Sequence, residues 1–146
     1  MIPKFRCFDK DTNTMHEVVA IDFKDWRVYY EAYGLRSYWN KNVALMQSTG
    51  LHDKNGVEIF DGDLIHYTYR GFDWYVPVVY REGRFEVYHG TLSTIPVSKI
   101  PSGKYATNIG NSISVYRVEF TDMYVAGNIY ENPELLEVEE WPIIKS

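Results

Sequence analysis

Cysteine is almost missing from this chain: Cys7 is the single one among 146 residues. No intramolecular disulfide can form, so nothing points to an oxidising compartment. Cys7 sits between Arg6 and Phe8 in a strand-like stretch and reads as packing rather than as a nucleophile. The segment from Met1 to Arg6 has no apolar h-region of about 7–15 residues, so no signal peptide is expected. The longest nearly uncharged apolar run, Trp74 to Tyr80, falls well short of the ~20 residues that cross a bilayer. The expectation is a soluble intracellular protein with no membrane partner. Ala and Leu together supply only 12 residues, which argues against an all-helical fold. P-loop, Rossmann glycine, HExxH, CxxC and GxSxG patterns are all absent, and no cofactor is expected. There is no repeat at a period of 20–50 residues and no low-complexity tract.

What the chain does contain is strand-forming material. Val, Ile, Thr, Tyr, Phe and Trp make up 57 of the 146 residues. Branched and aromatic side chains fit a pleated, half-buried surface. At this length roughly 68–70% of the extended-chain surface can be buried, so no metal staple is needed. One domain over 1–146 is expected, with two small β lobes, 1–50 and 51–146, sharing a core as the variant of that organisation.

Charge is uneven. The net charge is -5 overall. Residues 118–144 hold seven acidic side chains (Glu119, Asp122, Glu131, Glu134, Glu137, Glu139 and Glu140) and no Lys or Arg. This end reads as a solvated acidic surface, or as one that docks on a basic partner. An acidic total weakens any account of the whole chain as a polycation on nucleic acid.

Short strands and turns follow one another along the chain. Lys4–Phe8 alternates polar and apolar, Asp9–Asn13 supplies turn chemistry, and Met15–Asp22 and Trp26–Tyr30 read as strands about a turn at Lys24-Asp25. Residues 35–42 read as irregular, with Tyr38 and Trp39 inward, and Val43–Gln47 as a strand. Asn55-Gly56 predicts a two-residue type I′ turn with positive φ at both positions. Further reversals at Asp61-Gly62-Asp63 and Arg81-Glu82-Gly83-Arg84 predict a meander through residues 64–69, 75–80 and 85–89. Such a meander curls into a barrel or half-barrel. Residues 90–114 read as a long surface excursion. Strands are expected over Ile113–Phe120 and Met123–Tyr130, with Gly127 marking a bulge or a close backbone approach. Asn132-Pro133-Glu134 predicts a short helix, packed through Leu135, Leu136 and Val138 and stopped by Pro142.

Two groups of residues carry candidate chemistry. His52, Asp61, Asp63 and His66 are the residue types of a metal site or of acid–base chemistry, and would serve a metal-dependent hydrolase if they converged on one ion. Against this, Asp53, Asp61 and Asp63 stand where turns require Asx hydrogen bonds. The second group is Tyr67, Tyr69, Arg70, Trp74, Arg81, Arg84 and Tyr88. Interleaved rings and guanidinium groups hold single-stranded nucleic acid on small barrels, which makes residues 67–88 a candidate interface of that kind. Period-2 alternation buries one side of each strand, however. The rings read better as core or subunit interface, and Asp73, Glu82 and Glu86 dilute the positive charge.

Three blocks taken together resemble the YopX family, small proteins carried by phages and prophages of Gram-positive bacteria. They are Lys4-Phe5-Arg6 with Phe8-Asp9-Lys10, Met15 and Ile21-Asp22-Phe23; the run from Leu45 to Ile65; and the run from Gly127 to Leu136. Residues 66–122 carry none of these blocks. The resemblance implies a mainly β, barrel-like fold, the cytoplasm of a bacterial host, a homo-oligomer and a phage or prophage origin. It brings no known reaction and no catalytic residues. The leading expectation is a non-enzymatic homo-oligomer that binds a phage or host protein.

Overall fold

A computed structural model describes residues 3–31, 35–39, 43–89 and 93–137. The described residues are mostly strand with little helix, and include a nearly closed barrel-like sheet. Two compact units divide the chain, Met1–Gly50 and Leu51–Ser146.

In the first unit, β1 (Phe5–Asp9), β2 (Thr14–Asp22), β3 (Arg27–Glu31), β4 (Leu35–Trp39) and β5 (Val43–His52) lie in the antiparallel order β4-β3-β2-β1-β5. Leu51 and His52, at the end of β5, belong to the second unit. Cys7, Val28, Tyr30 and Val43 form the core, with Val18 and Leu45 against it. Residues 35–39 were expected to be irregular and instead pair with β3, from Arg27↔Trp39 to Glu31↔Leu35. An exposed ladder of main-chain groups on β3 satisfies a segment whose side chains have no clear period. The inward placement expected for Tyr38 and Trp39 lies outside the described side chains.

The second unit adds β6 (Glu58–Phe60), β7 (Asp63–Tyr69), β8 (Phe72–Arg81), β9 (Arg84–His89), β10 (Ser93–Pro96), β11 (Tyr105–Gly110) and β12 (Val115–Asn128). Its large sheet runs β10-β9-β8-β7-β12-β11. The β7–β8–β9 meander matches the sequence reading. Both of its turns have two central residues at positive φ: Arg70 (52°) with Gly71 (79°), and Glu82 (51°) with Gly83 (82°). That is the type I′ signature.

Asn55-Gly56 does not form such a turn. Only Gly56 has positive φ, at 84°. The Gly56 N–H donates to the Asp53 carbonyl at 3.0 Å and the Asp53 N–H to the Val57 carbonyl at 2.8 Å, giving a three-residue loop closed by a left-handed glycine. The Asp53 carboxylate decides the outcome, because its Oδ1 accepts from both the Asn55 and the Val57 N–H groups.

Residues 93–110 are not a structureless excursion. They form β10, a 3-10 helix (Val97–Ser102) that buries Val97 and Ile100, and β11. The two strands expected near the end are one, β12, with bulges after Thr121 and Val125. Gly127 lies at the second bulge, and a Cβ there would meet Asn132 Oδ1 at 2.2 Å. The expected C-terminal helix is a 3-10 turn over Pro133–Glu137. Val138 and Pro142 lie outside the described residues.

Candidate functional site

The two candidate groups are placed by the end of β5, by β6 to β9 and by the turns between them. His52 is exposed at the end of β5. Asp63 is buried at the start of β7, where its Oδ2 accepts the Phe60 N–H at 2.7 Å. Asp61 lies in the loop before it; burial pushes the Tyr130 hydroxyl above its ordinary pKa, and the charge of Asp61 adds to that. His66 is buried on β7 between two acceptors. Nδ1 is 2.8 Å from the Asp122 carbonyl and Nε2 is 2.8 Å from Asp73 Oδ1. The ring stacks on Tyr124, with centroids 4.5 Å apart, and neither of its nitrogens is left open for an ion. Among the described residues, no three His, Cys, Asp or Glu side chains are arranged to hold a metal. Asp63 acts instead as a turn cap.

The aromatic group separates into three. Tyr67, Tyr69 and Trp74 are interior. Phe120 meets Tyr67 edge-on and stacks with Tyr69, both at 5.2 Å, while Trp74 Nε1 donates to the Tyr69 carbonyl at 3.2 Å. Burial also pushes the Tyr67 hydroxyl far above its ordinary pKa. Faces covered in this way cannot take a stacked base. Arg81, Arg84 and Tyr88 gather on the β8–β9 hairpin around Glu86, whose side chain is buried. Arg81 Nε is 3.7 Å and Arg84 Nε 3.3 Å from that carboxylate, and the Arg81 guanidinium lies 4.9 Å over the Tyr88 ring. Arg70 stands apart at the β7–β8 turn, 5.3 Å over the Tyr69 ring.

Sequence reading missed two features. One is an open groove of about 610 Å³ in the first unit, where β2 leaves β1, lined by residues including Pro3, Phe5, Val19 and Phe23. β1 starts at Phe5 and its pairing with β2 ends at Arg6↔Glu17, while β2 runs on along β3 to Asp22 with a bulge between Val18 and Ala20, and period-2 alternation carries no sign of this. The other is the outward apolar surface of the β11–β12 hairpin. Asn111 Oδ1 accepts from the Ile113 and Ser114 N–H groups and shapes a tip that presents Ile113, 93% exposed, with Val115 and Tyr116 beside it. The Asn111-Ser112 pair was the available signal for that tip.

An antiparallel, barrel-like sheet with Tyr67, Tyr69, Trp74 and Phe120 turned inward defines an all-β protein. The family model described as YopX protein matches residues 4–137, and the chain belongs to the YopX family. The match runs through residues 66–122, where no family block was evident. Among solved structures, protein EF1440 from Enterococcus faecalis is 30% identical with a TM-score of 0.61, covering 94% of this chain and 99% of that one. Protein yopX from Bacillus subtilis shares the fold at 20% identity and a TM-score of 0.60, covering 94% and 98%. No curated protein matches. Among the described residues, no helix is long and apolar enough to cross a membrane.

Proposed function

We propose that this is a phage- or prophage-borne, non-enzymatic protein that self-associates and binds a protein partner in the cytoplasm of its bacterial host. Membership in the YopX family supports the setting. The observation that carries the rest is large apolar side chains left in water on both units: Phe23 and Trp26, 69% and 62% exposed, on the first, and Ile113, Val115 and Tyr116 on the second. Contiguous exposed apolar surface marks contact sites. The candidate reactive groups support the non-enzymatic part, because Asp53, Asp63 and His66 are engaged by main-chain or carboxylate partners. Light scattering across a concentration series tests the proposal. An assembly that weakens in Trp26→Ser or Tyr116→Ser is expected, and a monomer at every concentration overturns self-association. Fluorescence anisotropy with single-stranded and duplex oligonucleotides tests the rival nucleic-acid reading. No salt-dependent binding is expected, and a salt-dependent affinity lost in Arg70→Ala and Arg84→Ala would reverse the order of the two.

A further inference from the structure

β12 is 14 residues long and changes neighbours part-way. Val115–Phe120 pair with β11 on one edge, and Thr121–Asn128 pair with β7 on the other. Among the described residues, each half therefore has one edge with no strand beside it. The two edges are finished differently. Along the second half, the Met123 N–H donates to the Gly103 carbonyl at 3.0 Å, the Val125 N–H to Asp53 Oδ2 at 2.8 Å, and the Asn128 N–H to Asn132 Oδ1 at 3.2 Å. These bonds cap the edge against pairing.

No such cap covers Val115–Glu119 among the described residues. β7 stops at Tyr69 and turns at Arg70-Gly71, and a groove of about 380 Å³ opens between that turn and β12. Thr68, Arg70, Gly71, Arg117, Glu119 and Thr121 are among its lining residues. Alternate residues of a strand direct their N–H and C=O groups to one edge, so this stretch offers main-chain bonds to an incoming strand. Charge selects what enters. Arg70 and Arg117 flank the groove and Lys104 lies on the other side of β12. The single carboxylate among these lining residues, Glu119, is held 3.3 Å from Arg117.

We propose that the open edge of β12, Val115–Glu119, binds an extended acidic segment of a partner protein as an added strand. The inference rests on the protein-binding reading above and names the chemistry of the partner.

The probe is a blocked octapeptide alternating glutamate with valine, titrated into the full chain while backbone amide shifts are followed by NMR. Shifts centred on residues 115–119 are expected, with affinity at least tenfold above that of the same peptide carrying lysine. Methylating one alternate set of peptide nitrogens is expected to abolish binding, and methylating the other set to leave it. Arg117→Glu should lower affinity about tenfold, while Lys99→Glu, exposed on the 3-10 helix, should not change it. Equal binding of the lysine peptide, indifference to both methylations, shifts elsewhere, or tighter binding of an eight-residue oligothymidylate each overturns the proposal. Light scattering on the same samples keeps the two readings apart. A monomer that binds the peptide sinks self-association alone, and an assembly that ignores the peptide both whole and when dissociated by Trp26→Ser sinks this inference alone.

Discussion

Asp53 and Val125 are 72 positions apart in the chain and are joined directly: the Val125 N–H donates to Asp53 Oδ2 at 2.8 Å. The other oxygen of the same carboxylate accepts from Asn55 and Val57, so one buried side chain both shapes the hairpin after β5 and closes the edge of β12. Asp53→Ala leaves these donors unmatched and should cost about 3 kcal/mol, given about 1–3 kcal/mol for a buried group stripped of its partner. Asp53→Asn, which keeps one acceptor oxygen, should cost about half as much. Urea unfolding measures the loss, and faster hydrogen exchange at the Val125 amide locates it. An unchanged midpoint in Asp53→Ala would show that the tie contributes nothing.

Acid should loosen the first unit through Asp9. Burial alone would raise this carboxyl. The Tyr30 hydroxyl and the N–H groups of Asp11 and Thr12 donate to it and outweigh burial, so it titrates below its ordinary 3.8. The folded value lies under the unfolded one, so the stabilisation is complete above about pH 4 and is lost as pH falls through the folded value. Tyr30→Phe removes the strongest of these donors. It should cost about 1–3 kcal/mol at neutral pH and move acid unfolding to higher pH, followed by circular dichroism from pH 7 to 2. A coincident acid limb in the variant would disprove the coupling.

Cys7 should be inert while the chain is folded. Burial first, and the charge of Asp9 second, push its thiol up to about 11. At pH 8 a group with that value is thiolate in about one molecule per thousand, and the thiolate is the reactive form. Ellman's reagent should find no thiol in the native protein and one in concentrated urea. Rapid labelling without denaturant would contradict both the burial and the shift.

Gly127 and Asn132 should behave as a coupled pair. A methyl at Gly127 would displace the Asn132 amide, which otherwise accepts the Asn128 N–H. Gly127→Ala and Asn132→Ala should each cost about 1–2 kcal/mol. The double variant should cost clearly less than the sum, because either change already breaks the same bond. Additive losses from thermal unfolding of all four proteins would separate the two residues.

Much of the fold was legible because it is local. Alternation placed β1, β2, β3 and the β7–β8–β9 meander, and Arg81-Glu82-Gly83-Arg84 marked a turn that glycine makes possible. What was misread depends on partners distant in the chain. β4 is a strand because β3 offers it a ladder. β12 is one element because β7 and β11 take its two halves in turn, which no window around Thr121-Asp122 records. Asn55-Gly56 was misjudged because Asp53, two residues earlier, supplies bonds that favour a longer loop. Among the candidate residues, strand pleat puts Tyr67 inside, in keeping with alternation, and gives His66 to Asp73, a partner that linear spacing does not name. The open edge of β12 was invisible because it is defined by where β7 ends.

The division of β12 also sets the order in which the second unit can be completed during translation. Thr68 meets Thr121 and Asp63 meets Asn128, separations of 53 and 65 residues. At about 5–20 residues per second, a nascent chain carries β7 with one flank bare for roughly 3–13 s before its neighbour emerges. The speed of the ribosome through residues 70–128 therefore fixes how long that flank is open to chaperones, or to the wrong strand.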